Sequence, residues 1–173
     1  MTVSARTWAA VGQAIREVIS GALGTVRTVA ADAYRLGAPD RLDDATMAHR
    51  AIEKTRVEVE LGVPRRLPLA SVLCNREVLE APVTVRLVHA SNHQILDVER
   101  HEIDALSHDD HDVLRHALTY PGNLTATADS VATGLISGCL FPADGGDIQR
   151  QWDKKILRST RTYTARLERT PAI

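Results

Sequence analysis

Six histidines crowd the middle of the chain at His89, His93, His101, His108, His111 and His116, with Asp109, Asp110 and Asp112 among the last three. Neutral imidazole and carboxylate are the ligands a divalent metal takes, so metal chemistry would sit here if anywhere. The spacing argues against it. No HExxH occurs, and His101-Glu102 is followed by nothing at the right distance. His108 and His111 are expected in the first turn of a helix, with His116 on a different face. The plainer reading is a solvated helix start, its acids placed where the helix dipole favours them. A small metal-dependent hydrolase built on residues 108–116 stands as the alternative from another functional class.

Nucleophilic chemistry is represented still more thinly. No GxSxG surrounds any serine, and neither Cys74 nor Cys139 has a histidine near it in sequence. With no CxxC and no Cys/His cluster, both cysteines read as reduced, buried thiols acting as small hydrophobes. Gly134, Gly138, Gly145 and Gly146 form neither GxGxxG nor a P-loop. Gly134 and Gly138 suggest a bulge or a close backbone approach within a strand. Gly145-Gly146 reads as a loop tip, which with Asp144 and Asp147 is able to order against a neighbouring subunit. Arg65-Arg66 and Lys154-Lys155 are too short and too far apart to argue a nucleic-acid face. No residue is assigned a catalytic, cofactor-binding or metal-ligating role, and no cofactor is expected.

Composition is consistent with that reading. The chain has 173 residues, enough to bury a real core in one domain, with 44 % hydrophobic and 25 % charged residues. Aromatics are only 3 %, so Val, Leu, Ile and Ala must carry the packing. A net charge of -1 gives no whole-molecule field toward nucleic acid or an anionic membrane. No run approaches the roughly 18 apolar residues of a membrane span, and no signal peptide is evident, so a cytosolic or assembly-borne protein is expected.

The elements that would position these residues follow from periodicity. Thr7 reads as an N-cap for a helix whose apolar residues recur at Trp8, Val11, Ile15, Val18 and Ala22, ending at Gly24. Residues 25–29 suggest a short edge strand, 30–36 a helical turn, and 45–52 a short helix behind Asp43-Asp44. Thr55, Val57, Val59 and Leu61 alternate with Arg56, Glu58 and Glu60, a half-buried strand. Residues 64–81 read as a long proline-punctuated connection, and Val83, Val85 and Leu87 as a further strand. Residues 95–106 are expected to be helical, and Ser107 to cap a second helix over 109–118, stopped by Pro121-Gly122-Asn123.

The last third is the most informative. Residues 133–140 read as a strand, 142–150 as a polar loop, and 156–169 as a long alternating strand. Leu157, Tyr163, Ala165 and Leu167 fall on one face of that strand. Arg158, Thr160, Thr162, Thr164, Arg166 and Glu168 fall on the other. The order of elements predicts an α+β domain: a single small mixed or antiparallel sheet with helices packed mainly on one face.

Laid out this way, the chain resembles the tail terminator (neck) proteins of long-tailed bacteriophages and phage-derived particles. The resemblance runs from Trp8 onward. It rests on the opening helix with Gly24-Thr-Val, the strand 55–61, the strand 83–89 followed by helices, the helix end Leu118-Thr-Tyr-Pro-Gly-Asn-Leu124, and Ala132-Thr-Gly-Leu-Ile-Ser-Gly-Cys-Leu140 before the terminal strand. The proline-rich segment 64–82 and the histidine content depart from the family pattern.

The resemblance implies one tail-terminator-like domain over 1–173 and a structural virion protein without catalytic residues. It implies a homohexameric ring that ends tube growth, made in the host cytoplasm and carried in the virion neck. The partners implied are the tail tube protein and the head connector or completion protein, with DNA only as passing cargo and no membrane. Asp144, Gly145, Gly146, Asp147, Arg158, Thr160 and Thr162 are the candidate interface residues. A head- or tail-completion protein is the neighbouring alternative.

Overall fold

The computed structural model describes residues 5–24, 34–36, 55–68, 77–90, 97–153 and 156–169. Among the described residues, two helices, α1 (Ala5–Gly24) and α2 (Asp97–Thr119), accompany seven strands. These are β1 (Tyr34–Leu36), β2 (Thr55–Leu61), β3 (Arg65–Arg66), β4 (Glu77–Ala90), β5 (Phe141–Pro142), β6 (Gln149–Asp153) and β7 (Ile156–Arg169). All seven belong to one mixed sheet of order β1-β2-β4-β7-β5, with β3 beside β4 and β6 beside β7. Among the described strands, only β1 pairs in parallel. The fold is α+β with a single sheet.

Its spine is an antiparallel ribbon in which β4 and β7 stay in register from Glu77↔Arg169 to Ala90↔Ile156. Odd-numbered residues of β2, β4 and β7 share one face, since directly paired residues point the same way. Val57, Val59, Leu79, Val83, Val85, Leu87, Tyr163, Ala165 and Leu167 make that face the floor of the core. α1 and α2 supply the roof through Val11, Ala14, Ile15, Ile19, Leu23, Leu114 and Leu118. The expected facing of β7 holds. Leu157, Tyr163, Ala165 and Leu167 are buried, whereas Arg158, Thr160, Thr162 and Thr164 are half-buried and Arg166 and Glu168 exposed.

Several expectations are corrected. Thr7 lies inside α1, which begins at Ala5, so it is not the cap. Tyr34–Leu36 is a strand on β2 rather than part of a helical turn. The rest of 30–36, the strand expected at 25–29, the helix at 45–52, and Cys74 lie outside the described residues.

The connection expected over 64–81 contains β3 and the first five residues of β4. Pro82 hid that extension, because proline argues against an interior strand. It is accommodated where β2 has just ended. The Pro82 carbonyl accepts from Gly62 N at 2.8 Å, so its nitrogen, which points the same way, faces Gly62 just past the end of β2, and the bond given up is one at the end of the ladder. Gly62 is obligatory there, as a Cβ would lie 2.4 Å from Pro82 Cγ.

Residues 133–140 do not form a strand. They touch β7 through the single bridge Leu135↔Leu167 and then make a 3-10 turn over Ile136–Gly138. Gly134 (φ 72°), Ser137 (φ 59°) and Gly138 (φ 57°) take left-handed backbone, which an extended chain cannot contain. Finally, 97–119 is one helix with Ser107 buried in its interior, not a helix capped at Ser107.

Candidate functional site

Ser107 was misplaced because the buried face of α2 is polar over its central turns. Ile103, Ser107, Asp110, His111, Leu114 and Leu118 recur at helical spacing and are all buried. The four-residue step from Ser107 to His111, with Asp110 beside it, turns three polar groups onto the sheet. They meet partners on β4 and β7. His89 Nε2 lies 2.9 Å from Asp110 Oδ2. Ser107 Oγ donates to Ser159 Oγ at 2.6 Å, and His111 Nε2 lies 2.9 Å from the same Ser159 oxygen. All five side chains are buried, with His89, His111, Ser107 and Ser159 at 0 % exposure.

Two further links flank this layer. Trp152 Nε1 of β6 donates to Asp104 Oδ1 at 3.3 Å, and Arg161 Nη1 lies 3.6 Å from Asp112 Oδ1. Burial holds His111 well below the ordinary imidazole range, at about 4, against the opposing pull of the Ser159 backbone. Burial likewise pushes the Tyr163 hydroxyl up to about 12.

A serine oxygen 2.9 Å from an imidazole is the spacing a nucleophile and its base use. Here neither group reaches solvent, and Ser159 is also engaged by Ser107. The arrangement ties α2 to the sheet in one register and presents no attacking atom. Cys139 is buried, and burial raises its thiol. It behaves as the expected small hydrophobe.

The histidines of the metal alternative do not converge. His111 points into the interior, and His108 pairs at the surface with Asp112 at 3.3 Å. His116 is exposed beside Tyr120, with ring centroids 5.9 Å apart. His108 and His111 are also mid-helix, not in a first turn. Among the described residues no group of three His, Cys, Asp or Glu side chains is placed to hold a metal ion. A groove of about 340 Å³ runs along α1, lined among the described residues by Gln13, Arg16, Glu17 and Ser20.

The outer face of the ribbon is built differently. Glu80 is gripped from both sides, by Arg65 at 2.9 Å and Arg166 at 3.1 Å. The Arg65 bond, reinforced by Arg166, keeps its carboxyl below the usual range despite some burial. Arg166 also lies over the Phe141 ring at 4.9 Å. Arg86 joins Glu58 at 3.3 Å and donates to Thr160 Oγ1 at 3.4 Å. Arg158 pairs with Asp153 at 3.4 Å. Each partly exposed pair is worth at most about 1 kcal/mol, but together they hold long side chains in one pattern across β3, β4 and β7. Toward one end this face is closed, with Glu58, Val88 and Ile156 buried.

The seven candidate interface residues fall together at the β7 edge. Arg158, Thr160 and Thr162 share the outer face of β7. Asp144, Gly145, Gly146 and Asp147 lie on the segment between β5 and β6. Pro142 pairs with Tyr163 and Gln149 with Thr160, so the six residues 143–148 sit opposite only two, Arg161 and Thr162. The result is an oversized edge bulge. Gly146 N donates to Ala143 O at 2.9 Å, and Arg161 Nε donates to Gly146 O at 3.1 Å, tying the bulge down. Asp144, Gly145 and Asp147 stay exposed.

The sequence reading missed Ser107, Asp110, Ser159 and His89 as one layer. The available signal was the continuation of the Leu114–Leu118 stripe backward through Ser107 and His111. No helix is long and apolar enough to cross a membrane among the described residues. No protein-family model and no curated protein matches this chain.

Proposed function

We propose that this is a non-enzymatic assembly protein of the tail-terminator type, closing as a ring on the end of a phage tail tube and offering a joining surface to the head connector. The observation that carries the reading is the division of labour across the β4–β7 ribbon. One face is sealed by helices. The other presents a fixed, mixed-charge array continuous with the edge bulge at Asp144–Asp147. Such a surface suits shape and charge matching to other proteins. The polar groups that could react, Ser159 and His111, are meanwhile kept from solvent.

The reading requires a heterologous contact that closes on itself, since one that does not close grows without limit. Mass photometry of the purified protein, and reconstruction of it bound to tail tubes, tests this. Six copies in a ring at the tube end are expected. A stable dimer that buries β7 overturns the proposal.

A further inference from the structure

The buried layer beneath α2 plays no part in an assembly surface, and it is titratable. We propose that it is an acid-operated latch: protonation of His111 releases α2 from the sheet while the β4–β7 ribbon stays folded. The inference is independent of the assembly reading.

The argument is one of donors and acceptors. Neutral imidazole needs one acceptor and one donor, and His111 Nε2 finds its partner in Ser159 Oγ. His111 Nδ1 is buried and has no hydrogen-bond partner. An imidazolium would carry N–H donors on both nitrogens, leaving the Nδ1 proton facing no acceptor in a dry site.

The charged groups around it place the new charge badly, and only a backbone group of Ser159 favours it. β7 contributes Arg161 and the neutral Ser159 and Tyr163, β6 contributes Arg150, and β4 contributes His89; both arginines and His89 disfavour the cation. α2 itself carries Ser107, His108, Asp110, Asp112 and Arg115. Of its acids, Asp110 already meets His89, and Asp112 is a half-exposed partner of His108, Arg115 and Arg161. α1, packed against α2, brings apolar side chains to the core. Among the described side chains, no carboxylate is left to receive the new charge.

Among the described residues, the side-chain polar bonds between α2 and the sheet lie in this layer or beside it, so the helix is the element that gives way. β4 and β7 hold each other over 14 residues each and do not depend on His111.

The test is hydrogen exchange read by mass spectrometry on the full chain between pH 7 and pH 4, corrected for intrinsic rates. Peptides from 97–119 are expected to lose protection at higher pH than peptides from β4 and β7. His111→Asn should move the α2 transition at least one pH unit lower. Loss of protection in α2 and the ribbon together overturns the latch, as does an α2 transition unmoved in His111→Asn. Should that variant fail to fold, imidazole NMR of the unaltered chain decides. The His111 resonance is expected to titrate with α2 opening, and a ring that remains neutral throughout overturns the proposal.

Discussion

Leu167 and Thr162 stand on opposite faces of β7, and one substitution at each tests the register on which the site rests. Leu167 is 2 % exposed. It pairs directly with Leu79, itself 2 % exposed, and meets Leu135 at the isolated bridge. Leu167→Ala removes three carbons from packed surroundings and should destabilise by about 2–5 kcal/mol. At roughly 2–4 °C per kcal/mol for a chain of this size, the melting temperature falls by about 4–20 °C. Leu167→Asp is more severe. A carboxylate without a partner there would consume several of the ~5–15 kcal/mol that separate folded from unfolded states. Thr162 is half-buried on the outer face, paired with Thr84. Thr162→Asp should stay within ~0.5 kcal/mol, a shift of about 2 °C. Thermal melts followed by circular dichroism measure all three. Under the proposed function, Thr162→Asp also folds normally yet disturbs ring closure or tail length. If Thr162→Asp unfolds the protein and Leu167→Asp does not, the facing of β7 is wrong by one residue.

Stability should fall as the solution is acidified. His111 is held at about 4 rather than 6.5, so the folded state favours its neutral form; that contribution is intact above pH 6.5 and drains away toward pH 4. About 3 kcal/mol is at stake, to within a unit of pKa, and urea titrations of the native chain and His111→Asn at pH 7.5 and pH 5 should show a smaller pH dependence in the variant. The three histidines of the metal alternative should separate: His108→Ala and His116→Ala leave the melting temperature nearly unchanged, while His111→Ala lowers it by several degrees. Added zinc or EDTA should not move the melt. Gly138 takes φ 57° with a Cβ destined for 2.4 Å from Thr125 Oγ1, whereas Gly145 takes φ 71° in open space. Gly138→Ala should therefore destabilise by ~2–3 kcal/mol and Gly145→Ala by only ~1 kcal/mol.

What could be read from the sequence was whatever obeyed hydrophobic periodicity. β2 and β7 emerge with their observed limits because Val57, Val59, Tyr163, Ala165 and Leu167 alternate without interruption. The α1 stripe is legible for the same reason. Failures came where the protein buries polar groups. Glu77 faces inward, paired with Arg66 at 3.3 Å, so the start of β4 did not look like a strand. Ser107, Asp110 and His111 occupy the inward face of α2, so its middle turns looked like a solvated beginning. A pattern rule that sorts residues by polarity cannot see polar groups buried against one another. Residues 133–140 failed for a backbone reason, since left-handed dihedrals at Ser137 and Gly138 leave no trace in hydropathy. The facing of β7 was legible because from Thr162 to Glu168 its polar residues alternate without interruption with its apolar ones.

The bulge at residues 143–148 also bears on how the protein behaves when concentrated. An open sheet flank is a ready template for unrelated chains, and straight, uncharged flanks nucleate cross-β fibrils. Here the flank is cut into pieces of two and five residues, Phe141–Pro142 and Gln149–Asp153. The first piece contains a proline with no donor to offer, and the second alternates Arg150 and Asp153 with glutamines and a tryptophan. An incoming strand would have to detour around six looped-out residues to bridge them. Under the proposed function, the joining surface thus lies beside an edge whose interruptions disfavour indiscriminate strand addition.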